Sequence, residues 1–155
     1  MLIENDIRNR RNVHGFTLLE VLITLTVVSF GLLAMAGLML KGAGLNHTSY
    51  VRSVAVQQAY DIADRMRANI AGVTGNAYNT IAYTANQTCT ACTASCTAAT
   101  MAAYDACYWN TQNESQLPSG RGTVTRTGAE FLITVWWDDS KNGSANKSFA
   151  LRVQP

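Results

Sequence analysis

From Phe16 to Leu40 the chain runs 25 residues with a single ionisable side chain, Glu20, before Lys41 ends the run. Leu, Val, Ile, Phe and Met dominate it. As a helix it would be about 37 Å long, enough to cross a hydrocarbon core of about 30 Å with some tilt. No other feature constrains the fold as much, because a segment this apolar belongs in lipid or against other apolar helices. The carboxylate within it needs a reason. At mid-bilayer an acidic side chain costs about 2.5 to 3.5 kcal/mol on insertion scales, and near a helix N-terminus it recovers about 0.3 to 1 kcal/mol from the macrodipole. Placement near the end of the span softens the cost of Glu20 without removing it.

The fifteen residues before the run, MLIENDIRNRRNVHG, carry Arg8, Arg10 and Arg11 against Glu4 and Asp6. Arginines beside an apolar span stay on the cytoplasmic side, which sends the C-terminal part outward. A secretory signal would have a shorter apolar stretch and a small-residue cleavage site after it. Here Lys41-Gly42-Ala43-Gly44 leads into more helix-like sequence instead, so the span is expected to be retained. The rest of the chain is close to neutral, nine basic residues to eight acidic. That balance offers no basic stripe, and no specific nucleic-acid partner is expected.

Beyond Lys41 the pattern turns one-sided. Val51, Val54, Ala55, Ala59, Ile62, Ala63, Met66 and Ile70 recur at three- and four-residue steps, with Arg52, Gln57, Gln58, Asp61, Asp64, Arg65 and Arg67 between them. The periodicity predicts an amphipathic helix ending near Ile70 to Gly72. No proline interrupts Phe16 to Gly72, so one continuous helix is expected, its first half in lipid and its second against a globular head. Val73 to Thr100, rich in Thr, Ala, Asn and Gly, reads as a long connection held by its cysteines. "TAATMAAYDACYW" then predicts a short second helix with Met101, Tyr104 and Tyr108 on one face, capped by one of its threonines.

Leu117-Pro118-Ser119-Gly120 is a turn, after which the chain alternates. "GTVTRT", "EFLITVWW" and "SFALRV" predict three strands, joined by a turn at Thr127-Gly128 and a polar loop from Asp138 to Lys147. In the middle strand Phe131, Ile133, Val135 and Trp137 take one face, and Leu132, Thr134 and Trp136 the other. The expected head is α+β, a three-stranded antiparallel sheet packed on the amphipathic helix.

Cys89, Cys92, Cys96 and Cys107 cluster in one short region. In an exported domain an even number of clustered cysteines favours disulfides, with three possible pairings. The same spacing, C-x2-C-x3-C-x10-C, also suffices for a closed tetrahedral zinc site, although no metal and no cofactor is expected. Other chemistry is sparse. The two histidines, His14 and His47, lie in the leader and just beyond the span, and no phosphate loop, H-E-x-x-H or Ser/His/Asp set occurs in the head. Asp138-Asp139 suits a solvated hairpin start more than a calcium site, and Trp136-Trp137 reads as packing rather than a sugar or membrane platform. The sequons at Asn86 and Asn113 are expected by chance in so Asn- and Thr-rich a chain. An enzyme is not expected.

"GFTLLEVLITLTVVSFGLLAMAGL" after a short basic leader closely resembles the N-terminal signal of type IV pilins and type II secretion pseudopilins. The resemblance implies cleavage by a prepilin peptidase between Gly15 and Phe16, and methylation of the new Phe16 amine. It also implies that Glu20 pairs with the N-terminal amine of a neighbouring subunit during assembly. The chain then divides into a leader at 1–15, a transmembrane and filament-core helix at 16–44 and a periplasmic or extracellular head at 45–155. "SYVRSVAVQQAYDIADRMRANI", "MAAYDACYW" and "FLITVWWDD" are similar to the PilV group of type IV pilus minor pilins. The mid-span proline of many major pilins is absent, and the cysteines cluster at 89 to 107 instead of bracketing a C-terminal loop.

The expected protein is therefore a minor pilin. Membrane lipid would surround its helix before assembly, in the inner membrane with the N-terminus cytoplasmic. Other pilins would surround it afterwards, in a pilus at the cell surface serving twitching, adhesion or DNA uptake. The inner-membrane assembly machinery is the further implied partner. A secretion pseudopilin and a membrane-anchored ligand-binding module are the alternatives.

Overall fold

The computed structural model describes residues 15–93, 95–140 and 142–155. The chain divides into two units, Met1–Ala43 and Gly44–Pro155. Its elements are α1 (Leu18–Ala68), α2 (Ile70–Thr74), β1 (Thr80–Ile81), α3 (Ala98–Gln116), β2 (Arg121–Thr127), β3 (Glu130–Trp137) and β4 (Lys147–Val153).

In the first unit every described side chain is exposed. Thr24, Thr26 and Ser29 donate their hydroxyls to backbone carbonyls three or four residues back, at 2.6 to 3.0 Å. Their polarity is thereby satisfied within the helix, as an apolar surrounding requires.

In the second unit the predicted apolar face of α1 is buried from Val51 to Met66. Two positions depart from the expectation. Ile70 is exposed, because the helix ends at Ala68. There the Asn69 side chain accepts from the Gly72 N–H at 3.1 Å and donates to the Ala98 carbonyl at 2.8 Å and the Tyr78 hydroxyl at 3.1 Å. A side chain that competes for backbone partners ends one helix and caps the next, here α2. Gln58, expected among the polar gaps, is buried. It contacts α3 twice, through Nε2 to Gln116 Oε1 at 3.1 Å and through its carbonyl, which accepts from the Trp109 indole at 2.7 Å.

The second predicted helix is longer than its Ala-rich stretch, running 19 residues with Thr97 as N-cap. Thr97 Oγ1 accepts from the Thr100 N–H at 3.1 Å. Tyr104 and Tyr108 stack at 5.8 Å on its outer side, where Met101 and Tyr108 are exposed and Tyr104 is half-buried. Ala102, Asp105, Trp109 and Asn113 form the buried stripe.

The sheet has four antiparallel strands in the order β1-β2-β3-β4, not the three expected. The extra one, β1, pairs Thr80 with Thr125 and Ile81 with Val124. The three predicted strands are in place, with Phe131, Ile133, Val135 and Trp137 buried as the alternation requires. Gly128 takes φ +66° at the first position of the two-residue β2–β3 loop, where such hairpins need left-handed backbone. The inner face of the sheet shares one core with α1, α3, Val73 and Tyr78. The long N-terminal helix packed on a small antiparallel sheet is thus an α+β fold.

Candidate functional site at the start of the apolar helix

Gly15, Phe16 and Thr17 precede α1 without regular structure, and Phe16 is 84% exposed. The helix begins on Thr17. Its carbonyl accepts from the Val21 N–H at 3.3 Å and its hydroxyl from the Glu20 N–H at 3.2 Å. The sequence T-L-L-E carries the signature of a capping box, in which a Thr N-cap precedes a Glu by three residues. The Thr17 half of that box is formed. The Glu20 carboxylate makes no hydrogen bond or ion pair among the described residues, and it stands exposed in the first turn, where the helix dipole favours a negative charge. The cap was readable in the sequence from the T-x-x-E spacing alone, yet Thr17 is absent from the expected site residues. The leader's arginines and His14 lie outside the described residues.

Large apolar side chains follow Glu20 without cover, Leu22, Leu25, Phe30, Leu33 and Leu38 among them. The helix is long and apolar enough to cross a membrane, and none of the qualifying stretch is buried. A surface of this kind on a water-soluble chain would be a liability, and contiguous apolar patches mark membrane or protein contacts.

Asp138, expected as a solvated hairpin start, is instead buried, because it organises the β3–β4 loop. Its Oδ1 accepts from the Ser140 N–H and hydroxyl, and its Oδ2 from the Gly143 N–H at 2.7 Å. Asp139 accepts from the Thr48 hydroxyl at 3.1 Å. The carboxylate pair is therefore loop architecture, and no group of three metal-ligating side chains occurs among the described residues. Trp137 is buried and Trp136 half-buried on the outer face, with the Arg121 guanidinium 5.8 Å over its ring. Of the two sequons, Asn113 is fully buried and Asn86 exposed.

The four cysteines are bonded as Cys89–Cys107 and Cys92–Cys96, with Cα atoms 5.5 and 6.1 Å apart, inside the bridging range of about 4.4 to 6.8 Å. The first pair ties the long connection to α3. The second closes a small ring within that connection.

An unburied apolar helix, long enough to cross a membrane and opening on a single carboxylate, is followed here by a disulfide-bonded α+β head. Residues 10–36 match the family model of the prokaryotic N-terminal methylation motif. The match indicates a type IV pilin-like or pseudopilin protein, and prepilin-type pilins are structural proteins. It implies processing by a prepilin peptidase and assembly with other pilins. With the apolar helix, it is compatible with anchoring in the inner membrane before assembly. No curated protein and no solved structure matches the chain.

Proposed function

We propose that this protein is a minor pilin of the type IV pilus, of the PilV group, stored in the inner membrane and extracted into a filament. Cleavage between Gly15 and Phe16 frees the Phe16 amine, which is then methylated. The resulting cation sits at the positive end of the helix dipole, where it is unfavourable beside its own N-terminus and favourable beside a carboxylate. Glu20 on a neighbouring subunit is that carboxylate. The observation that carries the reading is the Glu20 side chain, without a partner among the described residues, at the head of an uncovered apolar helix.

Helix packing through the apolar surface drives assembly, and the Glu20–amine pair sets its register. The role in the filament is to prime or modify assembly together with other minor pilins, in support of twitching, adhesion or DNA uptake. The test is a chromosomal Glu20→Ala variant, scored for membrane insertion, surface pili and secreted enzymes. Normal insertion with reduced piliation is expected. Normal piliation would overturn the pairing, and a secretion defect with normal pili would assign the protein to a secretion pseudopilus.

A further inference from the structure

We propose that the head carries a binding cleft for a neutral sugar ring, walled by the loop after β1, the C-terminal turns of α3 and the β3–β4 loop. The cleft lies wholly within the Gly44–Pro155 unit, and the inference does not depend on the pilus reading. Its volume is about 580 Å³, inside the range of about 300 to 1,000 Å³ that small-molecule sites occupy. One wall is fixed by Ser119, whose hydroxyl donates to the Gly143 carbonyl at 3.2 Å and so ties the α3–β2 turn to the β3–β4 loop.

Among the described residues, two charged groups of opposite sign line this space without pairing. Glu114 Oε1 accepts from the Tyr83 hydroxyl at 2.6 Å and from the Asn86 N–H at 3.4 Å, which holds the carboxylate in place. Its Oε2 makes no hydrogen bond among the described residues. The Arg121 guanidinium rests over the Trp136 ring and likewise makes no hydrogen bond or ion pair among the described residues. The cleft thus offers an open acceptor and an open donor fork. The hydrogen bond to Glu114, and burial after it, raises the Tyr83 pKa above its ordinary value. Tyr83 therefore keeps its proton, donates to Glu114 and still presents a lone pair to a ligand.

The charge arrangement selects the ligand chemistry. An anion drawn to Arg121 meets Glu114, and a cation drawn to Glu114 meets Arg121. Neighbouring hydroxyls on a neutral ring satisfy both, since each hydroxyl both donates and accepts, and hydrogen bonds to ionised groups are the strong ones. A zwitterion would also match both charges. It would bind through two ion pairs, whose strength falls with salt, so salt dependence separates it from a neutral ring.

The test uses the full-length protein in detergent micelles, isotopically labelled and titrated by NMR. The probes are methyl α-D-glucopyranoside, methyl β-D-galactopyranoside and N-acetylglucosamine, with glycine as the zwitterion control. Saturable shifts at the amides of Tyr83, Arg121 and Ser144 are expected with at least one sugar, unchanged between low and high salt. Glu114→Gln and Arg121→Ala should each weaken that binding about tenfold, the loss of one hydrogen bond to a charged group. Three results would overturn the proposal: no saturable shift with any of the three sugars, sugar binding equal to wild type in both variants, or salt-sensitive binding of glycine alone.

Discussion

Tyr78 donates its phenolic hydrogen to Asp105 Oδ2 at 2.5 Å, joining the turn after α2 to the middle of α3. Arg65 on α1 holds the other carboxylate oxygen at 3.2 Å, and Asn69 donates to the Tyr78 oxygen. One buried carboxylate therefore links three segments of the head, and each partner it has is polar and satisfied. A buried charge lacking such partners would be costly, which makes this network a point where the fold is sensitive.

The network gives the head an alkaline limit. Burial, and then the hydrogen bond to Asp105, raises the Tyr78 pKa above its ordinary 10.0. Below about pH 10 folded and unfolded states both keep the proton, and the stabilisation is fully present. Above it the unfolded chain loses a proton that the folded chain retains, so stability falls as pH rises. Urea unfolding followed between pH 8 and 11 should show this decline, and Tyr78→Phe should flatten it. The same variant should lower stability at pH 8 by about 1.5 to 3 kcal/mol, the contribution of a hydrogen bond to a charged group. An unchanged slope would remove Tyr78 as its source.

Thr17 makes a prediction of a different kind. Thr17→Val deletes the hydroxyl that accepts from the Glu20 N–H and keeps the side-chain shape. Loss of an N-cap costs about 0.5 to 2 kcal/mol, felt within the first turn. Amide exchange of residues 18 to 21 in micelles should accelerate by roughly tenfold, while residues beyond Thr26 keep wild-type protection. Uniform protection would show that the first turn does not depend on this cap.

Much of this architecture was legible from periodicity. The 3.6-residue spacing of Val51 to Met66 and the alternation of Phe131 to Trp137 each follow from a face that must be buried, and both are buried. What escaped has a physical reason in each case. β1 is two residues long, too short to alternate, and exists because β2 offers an edge. α3 continues through N-T-Q-N-E-S-Q, a polar stretch with no apolar stripe, because Asn110 and Asn113 are buried in place of hydrophobes. Gln58 belongs to the same polar layer. The candidate cleft was invisible for a related reason. Tyr83 lies 31 residues before Glu114, and neither these two nor Arg121 form a motif.

Gly122 sits where α3 meets β2, and its N–H donates to Asn110 Oδ1 at 2.8 Å. A Cβ there would run into the Trp109 ring and the Asn113 amide, both inside the core. Gly122→Ala should destabilise the head by about 1 to 3 kcal/mol through overpacking. All three tryptophans lie in this unit, so indole fluorescence reports its melting without interference from the apolar helix. The midpoint should fall by several degrees, and Gly128→Ala, in open space but at φ +66°, serves as a strain control without a clash. A Gly122→Ala midpoint equal to wild type would mean that Trp109 has room to move.

The two disulfides should contribute unequally. In the chain-entropy account the stabilisation grows with the loop closed, giving about 3 kcal/mol for the 18-residue separation of Cys89 and Cys107 and about 2 kcal/mol for the 4-residue separation of Cys92 and Cys96. The first bond also anchors Cys89, in the long connection, to a buried position on α3, so its removal frees the segment that carries the loop. Paired serine variants separate the two. Cys89→Ser with Cys107→Ser should lower the denaturation midpoint by more than Cys92→Ser with Cys96→Ser. Each double variant should leave no free thiol reactive toward a maleimide, since the remaining two cysteines are bonded to each other. Free thiols in either double variant would show that the pairing is different, and an equal loss of stability would show that the long loop is already ordered in the unfolded chain.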